Sequence, residues 1–320
     1  MNTLGLDISK DTIDAVLDKK DGLKQHIKVE NNKDGLGQIQ KWLKANRIRK
    51  TIVAMEATGI YYENAARHLS MQYPVYVINP LRIKEYARSQ FKHTKTDKAD
   101  AALIAEYAKR HHDVMQPYTP PTAENRYLSK LISLLQQLKA QLTEAKNRKH
   151  ASQDEFVIST HEATILLVSS QITATANEID KLITQQNTVK AHYTNLQTIP
   201  GIGRETAATL LRYLQDKPFQ TANQFISFAG LSPKIESSGT SVKKHGRLSR
   251  YGHKRLKRSL FMPALVAYRI GAFPQLVSNL QKSKKPKMVI IVAIMRKLAK
   301  IAYYIYKSGQ PFDRTRHQMA

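Results

Sequence analysis

Leu4-Gly5-Leu6-Asp7 and Val53-Ala54-Met55-Glu56 decide how this chain is read: two short apolar runs, each ending in a carboxylate. Such runs, bounded by polar or turn residues, read as buried strands. If the two are neighbours in one sheet, Asp7 and Glu56 emerge side by side. Asp97 and Asp100 lie three residues apart at the start of a helical pattern and so share one helix face. Four carboxylates gathered this way repel one another unless cations lie between them. Two Mg²⁺ ions about 4 Å apart can activate a nucleophile and stabilise a leaving oxygen in phosphoryl transfer. Taken singly, each residue has a structural account: Asp97 as a helix-start residue satisfying free N–H groups, Glu56 as a surface carboxylate. Taken together, in this order and on these elements, they read as a metal site.

The surrounding pattern supports a sheet. Residues 3–7 and 12–17 read as strands, and the Asp21-Gly22 turn predicts a hairpin after the second. A helix is predicted over 36–43, a β-branched strand over 51–55, a helix over 61–69 and a strand over 75–78, closed by Asn79-Pro80. Two more helices follow, over 81–89 and 98–111. Hairpin strands followed by alternating strand and helix imply an α/β unit with a mixed sheet. The Pro120-Pro121 pair ends it. Leu128, Leu131, Leu135, Leu138 and Leu142 then make an a/d stripe, and Ile172, Ile179 and Leu182 a second one. Two long helices joined by a loop around 150–161 are expected, as a coiled-coil insertion that is an antiparallel coiled coil or a subunit contact, or as a plain helical hairpin linking domains. A mainly α-helical domain starts near Leu196, with an irregular polar segment over 232–251 and a last helix over 287–307, capped by Gly309. The expected domains are therefore 1–118, 119–195 and 196–320.

Composition narrows the partners. The 320 residues carry 51 Lys and Arg against 25 Asp and Glu, a formal charge of +26, which attracts polyanions. Between positions 237 and 312 there is no acidic residue at all. A phosphate-binding surface accounts for this, built from Lys243, Lys244, Arg247, Arg250, Lys254, Arg255, Lys257 and Arg258. No apolar run approaches the roughly 20 residues needed to span a bilayer. Asp7 and Lys10 interrupt any apolar leader, so a cytoplasmic protein without membrane association is expected. With no cysteine, disulfides, thiol catalysis and Cys-based zinc sites are excluded, and oxygen ligands point to Mg²⁺ or Mn²⁺.

Two further features bear on chemistry. Ile199-Pro200-Gly201-Ile202-Gly203 precedes a helix, and a glycine-flanked turn there can present N–H groups to phosphate through Gly201 and Gly203, as in a helix-hairpin-helix element. The same residues could also be only a capped tight turn. Ser237-Ser238-Gly239-Thr240-Ser241 is either a loop or the seat of a nucleophilic serine beside cations that stabilise a pentavalent phosphorane.

At this point the residues resemble a known family. Gly-Leu-Asp-Ile-Ser-Lys at 5–10, Glu-Ala-Thr-Gly at 56–59, Asn-Pro at 79–80 and Lys-Thr-Asp-Lys-Ala-Asp-Ala at 95–101 resemble the RuvC-like, RNase H-fold DEDD domain of the insertion-sequence family "one-ten", which is related to Piv-type DNA invertases. Ile-Pro-Gly-Ile-Gly at 199–203, Phe-Ala-Gly-Leu-Ser-Pro at 228–233, Ser-Ser-Gly-Thr-Ser at 237–241, Arg-Tyr-Gly-His at 250–253 and Met-Arg-Lys-Leu-Ala at 295–299 resemble its C-terminal transposase domain. The resemblance implies a transposase whose carboxylates Asp7, Glu56, Asp97 and Asp100 bind Mg²⁺. It implies that Ser238, the serine before Gly239, attacks the DNA and holds it as a phosphoserine; Ser237 and Ser241 are close neighbours of that position. It implies a structured non-coding bridge RNA that pairs with donor and target DNA, and a dimer or tetramer, for which the Leu128–Leu142 stripe is a place of contact.

Three rival readings frame this one. A RuvC-like junction resolvase would hydrolyse DNA with water and need no serine. A non-catalytic nucleic-acid-binding protein would explain the basic half but not four ordered carboxylates. A tyrosine recombinase needs His-x-x-Arg, and His253 is followed at that spacing by Leu256.

Overall fold

The computed structural model describes residues 1–91, 96–234, 237–238, 242–243, 247–248 and 252–315. The chain divides into two compact units, Met1–Pro120 and Pro121–Ala320.

The first unit contains β1 (Thr3–Ile8), β2 (Thr12–Asp18), β3 (Lys24–Glu30), α1 (Lys33–Ala45), β4 (Ile52–Glu56), α2 (Tyr62–Leu69), β5 (Val75–Ile78), α3 (Pro80–Ser89) and α4 (Asp97–His111). Its five strands lie in the order β3-β2-β1-β4-β5. The first three form an antiparallel meander, and β4 and β5 run parallel to β1. This is the mixed sheet with flanking helices that an RNase H-like unit requires.

Strand parity sorts the side chains. Successive residues of a strand face opposite sides of the sheet. Leu4, Leu6, Ile8, Ile13, Ala15, Leu17, Val53 and Met55 share one core with Leu36, Ile39 and Leu43 of α1 and Ala65, Ala66 and Leu69 of α2. Ile52, Ala54, Tyr76 and Ile78 share another with Ile83 of α3 and Leu103, Ile104, Tyr107 and Ala108 of α4. Gly5 and Asp7 therefore face α4. The contact at Gly5 is close: a Cβ there would lie 2.2 Å from the Ala101 carbonyl oxygen and 2.5 Å from the Ala105 nitrogen. Only glycine lets α4 rest directly on β1. Near its other end α4 is tied to β2, where Lys109 Nζ meets buried Asp18 at 2.7 Å.

The second unit contains α5 (Ala123–Ala151), α6 (Glu155–Thr184), α7 (Asn187–Gln197), α8 (Arg204–Asp216), α9 (Ala222–Phe228), β6 (Pro233–Lys234), β7 (Ser237–Ser238), β8 (Val242–Lys243), β9 (Arg247–Leu248), α10 (Lys254–Ser259), α11 (Phe261–Arg269), α12 (Pro274–Lys282) and α13 (Lys287–Ser308). One core joins Leu128, Leu131, Ile132 and Leu135 of α5, Ile179 and Ile183 of α6, and the helices from α7 to α13. Leu128, Leu131 and Leu135 of the leucine stripe are thus buried within the chain, Leu138 is buried as well, and Leu142 is half-buried. Among the described residues no single helix is long and apolar enough to cross a membrane.

Two expectations need correction. The break between the long helices is confined to positions 152–154, because α6 already starts at Glu155. Phe156, Leu166 and Leu167 on α6 are exposed, at 82%, 73% and 60%, so this stretch has helical hydrogen bonding without a core-facing stripe to announce it. The polar segment over 232–251 is not wholly irregular either, since β6 pairs with β9 and β7 with β8.

Candidate active site

The α4 side of the sheet carries a row of charge. Asp7 on β1 and Asp14 on β2 are direct antiparallel partners, and Asp14 is in turn the partner of Lys28 on β3. On the other side the β1–β4 register, with Leu6 opposite Met55, brings Glu56 beside Asp7. The order across four strands is therefore Lys28, Asp14, Asp7, Glu56. Like charges directly opposite each other in a sheet are destabilising, so this row costs stability unless something offsets it.

The start of α4 adds the other two carboxylates. Thr96 is the N-cap, its hydroxyl accepting from Ala99 N at 3.2 Å. Asp97 is thus relieved of capping, and its exposed carboxylate lies 3.6 Å from Lys28 Nζ. Asp100 follows three residues later, still in the first turn of the helix. The Thr58 hydroxyl donates to Glu56 Oε1 at 3.2 Å and orients that carboxylate.

The electrostatics report the gathering. Asp7 is pushed up from 3.8 to about 6, first by burial, then by Asp100, Asp97, Glu56 and Asp14. Asp100, Asp97 and Glu56, the other three carboxylates expected from the sequence, thus each act on Asp7. Asp14, 4% exposed, is held by His26 Nε2 at 2.8 Å and by Lys28 Nζ at 3.1 Å. Neither Asp14 nor Lys28 was singled out in the sequence. The available signal was a charged residue inside the otherwise apolar run Ile13-Asp14-Ala15-Val16-Leu17.

This donor set suits a hard divalent cation. Among the described residues no three His, Asp or Glu side chains stand close enough together to hold a metal ion by themselves. Mg²⁺ does not require such a group, because it usually keeps several waters and takes one or two carboxylates plus substrate phosphates. A cation would also relieve the repulsion that raises Asp7.

The second unit carries the basic residues. In α10 Lys254, Arg255 and Arg258 are exposed, Lys257 is half-buried and Leu256 faces the core. Arg255 Nη1 donates to Ser133 Oγ at 2.7 Å, which ties α10 to α5. The helix is capped by His253, whose Nδ1 accepts from Leu256 N at 3.4 Å. That leaves Nε2–H to donate to the Tyr213 hydroxyl at 3.0 Å. Burial, then Arg212, Arg255 and Lys217, lower His253 from 6.5 to about 4. Gly201 has φ +86°, and a Cβ there would sit 2.3 Å from the Pro263 carbonyl oxygen, so this turn packs against α11. Gly203, the N-cap of α8, is open. The backbone of Ser238 pairs with Val242, that of Lys243 with Ser237 and that of Arg247 with Lys234. The side chains of Ser238, Lys243 and Arg247, and the whole of Ser241, Lys244 and Arg250, lie outside the described residues.

Known proteins match along most of the chain. The DEDD transposase family of IS110, described as "Transposase", matches residues 4–158. The "Transposase IS116/IS110/IS902 family" matches residues 193–278. The pilin gene-inverting protein of Moraxella lacunata is 35% identical over 324 aligned positions, covering 98% of this chain and 98% of that protein. A putative transposase, y4pF/y4sB, of Sinorhizobium fredii is 28% identical over 302 positions, 84% of this chain and 76% of that one. An uncharacterized 43.6 kDa protein of insertion element IS110 from Streptomyces coelicolor is 29% identical over 152 positions, 46% of this chain and 37% of its own length.

Proposed function

The chain belongs to the IS116/IS110/IS902 transposase family, and from that premise we propose that it is an RNA-guided DNA recombinase working through a phosphoserine at Ser238 and a carboxylate metal site at Asp7, Glu56, Asp97 and Asp100. The observation that supports the metal half is that Glu56 from β4 and Asp97 and Asp100 from the start of α4 all act on Asp7 of β1. Mg²⁺ or Mn²⁺, when bound, would supply Lewis-acid stabilisation of oxygens on phosphorus.

The chain's own residues have distinct tasks. Ser238 Oγ forms a bond to phosphorus as the DNA oxygen leaves; the serine gives up its proton and the leaving oxygen takes one. A DNA hydroxyl later attacks the phosphoserine, re-forms the phosphodiester and restores the serine. Lys254, Arg255, Lys257 and Arg258 on α10, with Lys243, Lys244, Arg247 and Arg250 before it, hold backbone phosphates, and Gly201 and Gly203 add backbone N–H groups. Donor and target DNA and a structured bridge RNA are the polyanions that the acid-free stretch from 237 to 312 serves. Base pairing to that RNA then sets the sequence read. A dimer or tetramer would cover Phe156, Leu166 and Leu167 on α6, since the leucine stripe of α5 is already used.

Ser238→Ala tests the covalent step. It should abolish both strand exchange and the protein–DNA adduct trapped by denaturation; continued cleavage would favour a water-using resolvase. A second reading, DNA inversion without a guide, is favoured by the pilin gene-inverting relative that aligns over 98% of this chain. Sequencing the nucleic acid that co-purifies with the protein separates the two: a discrete non-coding RNA supports guidance, and its absence supports inversion.

A further inference from the structure

Lys28 places a cation in the row of carboxylates proposed to bind metal. Its Nζ lies 3.1 Å from Asp14 Oδ2 and 3.6 Å from Asp97 Oδ2, and so bridges the strand row to the start of α4. The two ends of this bridge differ. Asp14 is 6% exposed at its side chain and also pinned by His26, whereas Asp97 is 67% exposed. The Asp14 end is therefore a fixed anchor, and the Asp97 end is loose and readily exchanged with solvent or another cation. Lys28 itself is half exposed, on a long flexible stem.

We propose that Lys28 is a positioning residue of the carboxylate site: anchored on Asp14, its ammonium is the site's internal counter-cation, holding Asp97 toward the row and yielding it when a divalent cation binds. This rests on the reading of Asp7, Glu56, Asp97 and Asp100 as metal ligands. It explains how a cross-strand Asp7–Asp14 pair is tolerated in a folded sheet, since one fixed positive charge lies against that row. It also makes Lys28 and the metal competitors for one carboxylate. Removing the ammonium must then tighten metal binding, whereas losing a merely structural residue would weaken it.

The test uses the full chain without nucleic acid, titrated with Mn²⁺ by calorimetry and followed in parallel by melting temperature. Lys28→Gln keeps a hydrogen-bonding side chain for Asp14 but no charge, and Lys28→Met removes both. Each should bind Mn²⁺ roughly five- to tenfold more tightly, the Coulomb scale of one unit charge removed beside a divalent ion at a wet surface. Each should also melt lower than wild type without metal and recover with it. Lys28→Arg should keep the wild-type Kd. Lys24→Met, which removes the same charge from the same strand beyond the site, should leave Kd unchanged. An unchanged Kd in Lys28→Gln, or equal tightening in Lys24→Met, overturns the proposal. The control Asp7→Asn separates the failures. If wild type binds Mn²⁺ and Asp7→Asn abolishes it, an unchanged Lys28→Gln refutes the role of Lys28 alone. If Asp7→Asn has no effect, the metal site and this inference fall together.

Discussion

Replacing Asp7 with asparagine should make the metal-free protein more stable at neutral pH while ending its activity. Asp7 is raised from 3.8 to about 6, by burial and then by Asp100, Asp97, Glu56 and Asp14. A carboxylate with a raised folded-state pKa binds its proton more tightly in the folded protein than in the unfolded chain. Stability therefore falls as pH rises between about 4 and 6 and stays reduced above that window. Two units correspond to about 3 kcal/mol at most, and because Asp7 is only partly buried, solvent screening brings this to about 1–2 kcal/mol. Asparagine has nearly the same shape and no charge to repel its neighbours. Urea denaturation in EDTA at about pH 7.5 should show Asp7→Asn more stable by about 1–2 kcal/mol, with the gap shrinking by about two-thirds near pH 4.5. If the variant is equally or less stable than wild type at pH 7.5, the four carboxylates do not converge on Asp7 and the reasoning fails.

Two more outcomes follow from the packing. Gly5→Ala places a Cβ 2.2 Å from the Ala101 carbonyl, so α4 must lift from β1; urea unfolding should show a loss of about 1–3 kcal/mol or more, and Mn²⁺ affinity should fall because Asp97 and Asp100 move with the helix. His253→Ala should cost about 1 kcal/mol through the lost cap of α10, whereas asparagine, a good cap, should retain it. His253 is lowered from 6.5 to about 4, so wild type should lose stability as pH falls through that interval while the unfolded chain takes up a proton; His253→Asn should lack this loss, as pH-dependent melting would show.

Most of the first unit was legible in the sequence because its signals are local. Strands of four to seven residues, the Asp21-Gly22 turn and Asn79-Pro80 each announce themselves within a few positions. The burial of the second unit was less so. The lapse in periodicity over 150–161 covers a short break at 152–154 and then the exposed start of α6, because hydrophobic pattern reports what a helix packs against and not whether it is helical. The ribbons of β6 with β9 and β7 with β8 pair only two residues each, too short for alternation to show. Likewise nothing local in His253 reveals that Tyr213, forty positions earlier, holds its imidazole while the ring caps a basic helix.

The carboxylate site shows where pattern reading stops and pleat geometry takes over. Asp7 and Glu56 could be paired from sequence because each ends an apolar run, so parallel neighbours would present them together. Asp14 could not, since its place depends on the antiparallel register that sets Asp7 opposite it and Lys28 opposite that. A one-residue slip of β2 would turn Asp14 into the α1 core and bring Ile13 or Ala15 to the α4 face. The hairpin register is thus itself a part of the site. It fixes a buried anion next to Asp7 and, through Asp14, a cation against Asp97. A sheet that gathers carboxylates must fold against their repulsion, and β2 and β3, which contribute no proposed ligand, supply through Asp14 and Lys28 the charge pairing that offsets it.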